Sequence, residues 1–255
     1  MFRNEGATRS DRQNRFVAGY LAAVAGFVNS CGFLIIGSFT SPVTGNVGRF
    51  ADDLALGKSD AALLAAVLVL AFFIGAFIAS IALESRVLSR QTHVYGVLLL
   101  IEAALLVGFT ELHRWGAPAT PRAQDAAAVL LCAAMGMQNS LVTRLSGAVV
   151  RTTHLTGVVT DLGIETARWF WYERGRLGLG KRILVLDHPA ERPHRPKIAL
   201  LATIFVAFVF GGALGALGTQ SFARDAMLVP VLALTAVAMT SLRKGDAMAD
   251  PAMRK

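Results

Sequence analysis

Charge is scarce in this chain of 255 residues: Asp, Glu, Lys and Arg together make up 16% of it, against 54% hydrophobic residues. Cysteine is scarcer still, and both copies, Cys31 and Cys132, lie inside apolar runs. No Cys/His cluster has metal-ligand spacing, so a disulfide framework or a thiolate metal site has no support. Two reduced, buried thiols are expected instead. Catalytic signatures are missing as well. There is no HExxH, no GxSxG and no GxxxxGK[ST]; the near match "GRLGLGKR" has the wrong spacing for a phosphate loop. The expected protein is therefore not an enzyme and uses no metal or cofactor. The start of the chain also lacks a short apolar core followed by a small-residue cleavage site, so the first apolar run is expected to stay attached.

What the chain does have is apolar length. Six blocks stand out, at about 16–36, 61–83, 93–112, 125–141, 197–218 and 226–242. A bilayer core of ~30 Å needs about 20 such residues per helix, and the fourth and sixth blocks sit at the short limit. Six blocks in one small chain imply an all-α integral membrane protein, because only helices or closed barrels satisfy every backbone group in lipid. The net charge of +8 is distributed unevenly. Of the 25 Lys and Arg residues, 20 fall in alternate inter-block segments and the remaining 5 in the others. Positive residues stay cytoplasmic, so both termini are expected inside. The tails are residues 1–15 and 243–255. The basic residues form no single patch with interleaved aromatics, so nucleic acid is not an expected partner. The lipid bilayer is.

Internal repetition follows from the motifs. "GFVNS" (26–30) and "GMQNS" (136–140) each place Asn-Ser three residues after Gly, 110 positions apart. "SPVTGNV" (41–47) pairs with "THLTGVV" (153–159), 112 positions apart, and acids follow both: Asp52 and Asp53 in one, Asp161 and Glu165 in the other. A weaker echo joins "GAFIAS" (75–80) to "GALGAL" (212–217), with small residues at a spacing that allows close helix packing. The reading is two three-helix repeats, 16–112 and 125–242. Three spans is an odd number, so the second repeat enters from the opposite face, which is the inverted topology of many secondary transporters. The second repeat carries a basic cytoplasmic insertion at about 165–196. Its start, "ARWFWYERGR", is read as an interfacial aromatic belt over Trp169 to Tyr172.

On "GFVNSCGFLIIGSFTSPVTGNV", "GMQNS" and "RTTHLTGVVTDL", the chain resembles the YoaK family of bacterial polytopic inner-membrane proteins, over roughly 15–242. The resemblance implies a membrane fold in the bacterial inner membrane and no assigned substrate. Family members commonly carry Asp where this chain has Asn29, so a proton relay through that carboxylate does not transfer.

Polar residues within a bilayer are costly and mark function by default. Glu102 lies mid-run in "GVLLLIEAALLVGF". It has to be protonated, paired or facing a wet cavity, as a proton or cation site or as a hydrogen-bonded structural acid. Asn29, Gln138 and Asn139 donate and accept without charge, either to a polar solute or to each other. Thr44, Gly45, Asn46, Thr156 and Gly157 mark two helix breaks. Each break starts a half-helix that aims N–H groups at a solute, or it is a plain N-cap using Ser41 and Pro42. Arg151 and His154 lie beside the second break. These residues form the candidate substrate site of a permease or secondary transporter in which one half rocks against the other. The alternative is a non-transporting accessory, assembly or sensory protein, and either could form a homo-oligomer.

Overall fold

The computed structural model describes residues 11–37, 43–85, 93–115, 121–145, 155–176 and 195–249, and every regular element among them is helical. In order these are α1 (Asp11–Ile36), α2 (Val43–Ala55), α3 (Ser59–Glu84), α4 (His93–Trp115), α5 (Pro121–Leu145), α6 (Leu155–Arg176) and α7 (Arg195–Phe222). A 3-10 segment, Ala223–Met227, then leads into α8 (Leu228–Ala249). Ser41, Pro42, Arg151, His154 and most of the basic insertion lie outside the described residues. Residues 165–176, read as the start of the insertion, continue α6 as helix. The run "ARWFWYE" contains no helix breaker, so the helix has no physical reason to stop at its start.

Five stretches are long and apolar enough to cross a membrane: Arg15–Ile36, Ser59–Glu84, Val94–Leu112, Pro121–Arg144 and Arg195–Arg243. α3 shows why. Its 26 residues contain no proline and no polar side chain between Asp60 and Ser80, and they extend about 39 Å at 1.5 Å per residue. Glycines stop the first two helices. Gly37 takes φ 81° and returns its N–H to Phe33 O at 2.8 Å. Gly57 takes φ 71°, with Gly57 N–H to Leu54 O at 3.1 Å and Lys58 N–H to Asp53 O at 2.8 Å. That pair of bonds is a Schellman cap, which needs a left-handed residue at the position Gly57 occupies.

The helices pack as interleaved pairs. α1 lies along α7, α3 along α5, and α4 along both α5 and α8, while α2 rests on α3 and α6 on α7. Residues Gly19, Gly26 and Cys31 meet Thr203, Phe208 and Gly215 in ascending order, so α1 and α7 run parallel. Gly75, Ser80 and Glu84 meet Ala133, Ser140 and Arg144, so α3 and α5 also run parallel. α4 and α8 run antiparallel: Gly96 meets Ala238 and Leu242, and the 3-10 segment before α8 also touches α4.

Close glycine approaches set both parallel pairs. A methyl group at Gly26 would overlap the Phe208 carbonyl, and one at Gly136 would overlap the Phe72 carbonyl. At Gly75 it would strike Ala133, and at Gly211 it would strike Ala23. The second pair of contacts reproduces the first under offsets of 110 for α1 and α5 and 136 for α3 and α7. Burial follows the same offsets. Leu21 and Leu131, Ala25 and Met135, and Leu68 and Ile204 are all buried, whereas Leu70 and Val206, and Ile81 and Leu217, are exposed. The match of Gly75 to Gly211 moves the register of the third sequence echo by one residue, away from Gly212. Two adjacent glycines hid that choice in the sequence, and only the carbonyl each one faces separates them.

The bundle has an inside and a rim. α5 buries most of its length from Ala127 to Val142, whereas α3 and α7 each bury only a narrow stripe, so α5 is central while α3 and α7 are peripheral. The outer faces of α3 and α7 carry Phe73, Phe77, Val206 and Phe210, all exposed. A face of this kind suits hydrocarbon rather than water.

Candidate functional site

Three polar side chains converge on one level of α1. Glu102, on α4, is fully buried, and neither of its carboxyl oxygens has a hydrogen-bond partner among the described residues. Its electrostatic neighbour is Tyr20 of α1. Gln138, on α5, is also fully buried and donates from Nε2 to the carbonyl of Leu21, the next residue of α1, at 3.4 Å. That bond fixes the orientation of the amide, because a carbonyl can only accept. Gln138 Oε1 is left without a partner. Three side-chain oxygens are thus buried without a hydrogen-bond partner among the described residues. Such groups are uncommon and call for an explanation.

This site breaks the packing repeat. Position 138 corresponds to Val28 and position 20 to Leu130, both apolar. The polar residues therefore arise on one side of an otherwise duplicated frame. Sequence reasoning picked out Glu102 and Gln138 but missed Tyr20. The available signal was a phenol inside the first apolar run, three residues before "AVAGFV" begins.

Of the remaining candidate residues Asn139 shares this level of α1, and Asn29 does not. The Gln138–Leu21 contact places Asn139 at the level of residues 20–21 of α1, about 12 Å along the axis from Asn29 at 1.5 Å per residue. The matched asparagines therefore occupy different levels of the bundle. Asn139 is buried and Asn29 half-buried, and both have interaction partners. Each Thr-Gly pair falls in the first turn of a helix, α2 from Val43 and α6 from Leu155. Thr44, Gly45, Thr156 and Gly157 are exposed, and a Cβ at Gly157 would meet nothing within 4 Å. Asn46 is the buried residue of α2, matched in α6 by buried Val158. α2 and α6 do not pack together; each rests on the helix that follows it.

Three of the four acids after the Thr-Gly pairs, Asp53, Asp161 and Glu165, lie in ion pairs. Asp53 pairs with Arg49 at 3.4 Å. Glu165 is buried and receives Lys197 of α7 at 3.1 Å and Arg168 at 3.2 Å, and Lys197 also lies 3.8 Å from Asp161. This ties α6 to the start of α7. Cys31 and Cys132 are both buried, and neither forms a disulfide among the described residues. Cys31 donates to Gly215 O at 3.4 Å and accepts from Thr219 at 3.0 Å, between the same two helices that the glycines join. Ser80 donates to Ala76 O, so Ser140 donates to Ser80 at 2.8 Å across α3 and α5. Trp169, Phe170 and Trp171 are exposed along α6, and Arg174 lies 5.4 Å over the Phe170 ring. Aromatic and cationic side chains in this arrangement suit a headgroup layer.

The family described as Protein of unknown function (DUF1275) matches residues 17–240, from the first helix into the last. The chain belongs to DUF1275. YoaK is a member of the same family, so the resemblance carried by the Asn-Ser and Thr-Gly motifs falls within it. No curated protein and no solved structure matches this DUF1275 chain. Its site therefore has to be read from its own residues.

Proposed function

We propose that this DUF1275 protein is a permease or secondary transporter of a small polar solute in the bacterial inner membrane. The observation that carries the reading is the buried Glu102, with both oxygens unpartnered, where helices of the first and second halves of the chain meet. An acid in that position is costly in lipid unless something uses it. The duplicated packing supports two repeats of inverted topology: α1 and α7 run parallel although one belongs to each half, and so do α3 and α5. Six alternating passes produce those directions. The stretch Arg195–Arg243 would extend about 74 Å if straight, more than twice a ~30 Å core. The break at Ala223–Met227 supports two passes there, α7 and α8. Six passes leave both termini on one side, and the Lys and Arg distribution makes that side cytoplasmic. The motifs at Asn29, Thr44 and Thr156 support a YoaK-type member.

The moving units differ from those suggested by the order of the chain. The halves are interlaced by glycine contacts in which backbone meets backbone, so they cannot rock as bodies. The units that stay rigid are the pairs α1–α7 and α3–α5. The site lies at the α1, α4 and α5 junction between them, and alternating access is their relative movement. The test is flux in proteoliposomes across a panel of small solutes, with and without a proton gradient. Glu102→Gln and Asn139→Ala are each expected to reduce flux at least tenfold. Unchanged flux in both variants would remove the site.

A second reading has one observation in its favour. The Thr-Gly segments head separate helices that do not pack on each other. That suits an accessory or sensory protein held by polar helix packing. It predicts no flux for any solute and unaltered folding of Glu102→Gln.

A further inference from the structure

Glu102 and Gln138 bury side-chain oxygens on α4 and α5, two helices that pack on each other. Glu102 Oε1, Glu102 Oε2 and Gln138 Oε1 are acceptors, and none has a partner among the described residues. The one donor of the Gln138 amide seen to bond is directed away, to Leu21 O. Gln138 bonds to Leu21 O of α1, Tyr20 is the electrostatic neighbour of Glu102, and the two helices that carry Glu102 and Gln138 pack on each other. Tyr20 is the titratable neighbour of Glu102, and no salt bridge reaches Glu102 from a Lys, Arg or His among the described residues. With Glu102 ionised, its two oxygens and Gln138 Oε1 present three acceptors, which a ligand supplying positive charge or hydrogen-bond donors would satisfy.

Charge balance limits the ligand further. A carboxylate and one positive charge make a neutral set within hydrocarbon, whereas a divalent ion would leave an uncompensated charge in the bundle. The described residues also hold no group of three His, Cys, Asp or Glu side chains that could take a metal of higher charge. Gln138 adds a neutral oxygen, which coordinates a cation without changing that balance. We propose that Glu102 and Gln138 form a seat for one monovalent cation, with the carboxylate supplying the charge and the amide oxygen a second ligand. This rests on the transporter reading for its purpose, as the coupling ion or cationic substrate, but the binding itself does not require transport. The apolar residues at the matched positions, Val28 and Leu130, make it a single seat in a duplicated frame.

Infrared difference spectra of the full chain in nanodiscs test the seat directly. The probes are Na⁺ against choline, ammonium against choline, and a proton titration in choline alone. Binding of any one probe is expected to shift a carboxyl band that vanishes in Glu102→Gln, and Gln138→Leu is expected to weaken the response at least tenfold. Glu102→Asp, which keeps the charge, is expected to retain a weakened response. Thermal melts of each variant separate loss of the seat from loss of the fold. Which probe acts identifies the ion as alkali metal, ammonium type or proton. No Glu102-dependent band change with any of the three overturns the proposal, as does a full response in Gln138→Leu. Ion binding without flux of any solute would remove the transporter reading and leave the seat, and flux without ion binding would do the reverse.

Discussion

Gly136 and Gly157 stand 21 positions apart and illustrate two uses of the same residue. Gly136 faces the Phe72 carbonyl of α3 so closely that a methyl group would overlap backbone, and backbone cannot turn aside as a flexible side chain can. Gly136→Ala is therefore expected to destabilise the protein by about 1–3 kcal/mol, the range for overpacking a tight contact. Gly26→Ala should behave alike against Phe208. Thermal unfolding in detergent checks both. Gly157→Ala is expected to leave stability within about 1 kcal/mol of the parent or raise it, because its surroundings are open and alanine favours helix. The sequence singled out Gly157 through its Thr-Gly motif and Gly136 only as part of "GMQNS". A motif reports spacing along the chain, whereas the carbonyl that makes Gly136 irreplaceable belongs to a residue 64 positions earlier.

α2 and α6 are the elements that a hydropathy reading places least well. Neither is among the membrane-length stretches, and each leans on the longer helix that follows it. For α6 the attachment is electrostatic as well as apolar: buried Glu165 is held by Lys197 at the start of α7, beside buried Val158. Lys197→Met should leave Glu165 with Arg168, whose side chain is half exposed and a weaker partner. A loss of about 1–3 kcal/mol is expected, as for an under-satisfied buried charge. It would be read as faster hydrogen exchange in α6 with α1 and α5 unchanged; uniform change across all helices would contradict this local role. The acids at 161 and 165 were visible in the sequence as one helical face, but their partner was not. Lys197 lies beyond the basic insertion, where it reads as one more positive-inside residue.

For the whole molecule, the interlaced pairs give a prediction that separates two ways of moving. Gly19 and Thr203 touch across α1 and α7, one from each half. A disulfide between Gly19→Cys and Thr203→Cys, in a background without Cys31 and Cys132, is expected to retain flux of any transported solute. If the halves moved as bodies, that bond would abolish it. Flux before and after reduction in the same proteoliposomes decides between them. Termini on one side of the membrane are a second expectation, checked by labelling single cysteines placed at residues 5 and 252 with an impermeant reagent in sealed vesicles.

The sequence by itself determined the class of structure. Apolar runs of bilayer length have one way to satisfy their backbones, so an all-helical membrane-type fold follows from composition and length alone. The repeated Asn-Ser and Thr-Gly motifs were equally legible, because they are local. Tertiary structure alone decided which helices lie together, since lipid-facing and protein-facing apolar surfaces read alike in a sequence. It joined α1 to α7 and α3 to α5 across the halves, set Asn29 and Asn139 at different levels, and brought Tyr20 to Glu102 and Gln138. Those outcomes depend on where a glycine meets a distant carbonyl and on which acceptors are left without donors. Both are properties of contacts between residues far apart in the chain, which no local pattern records.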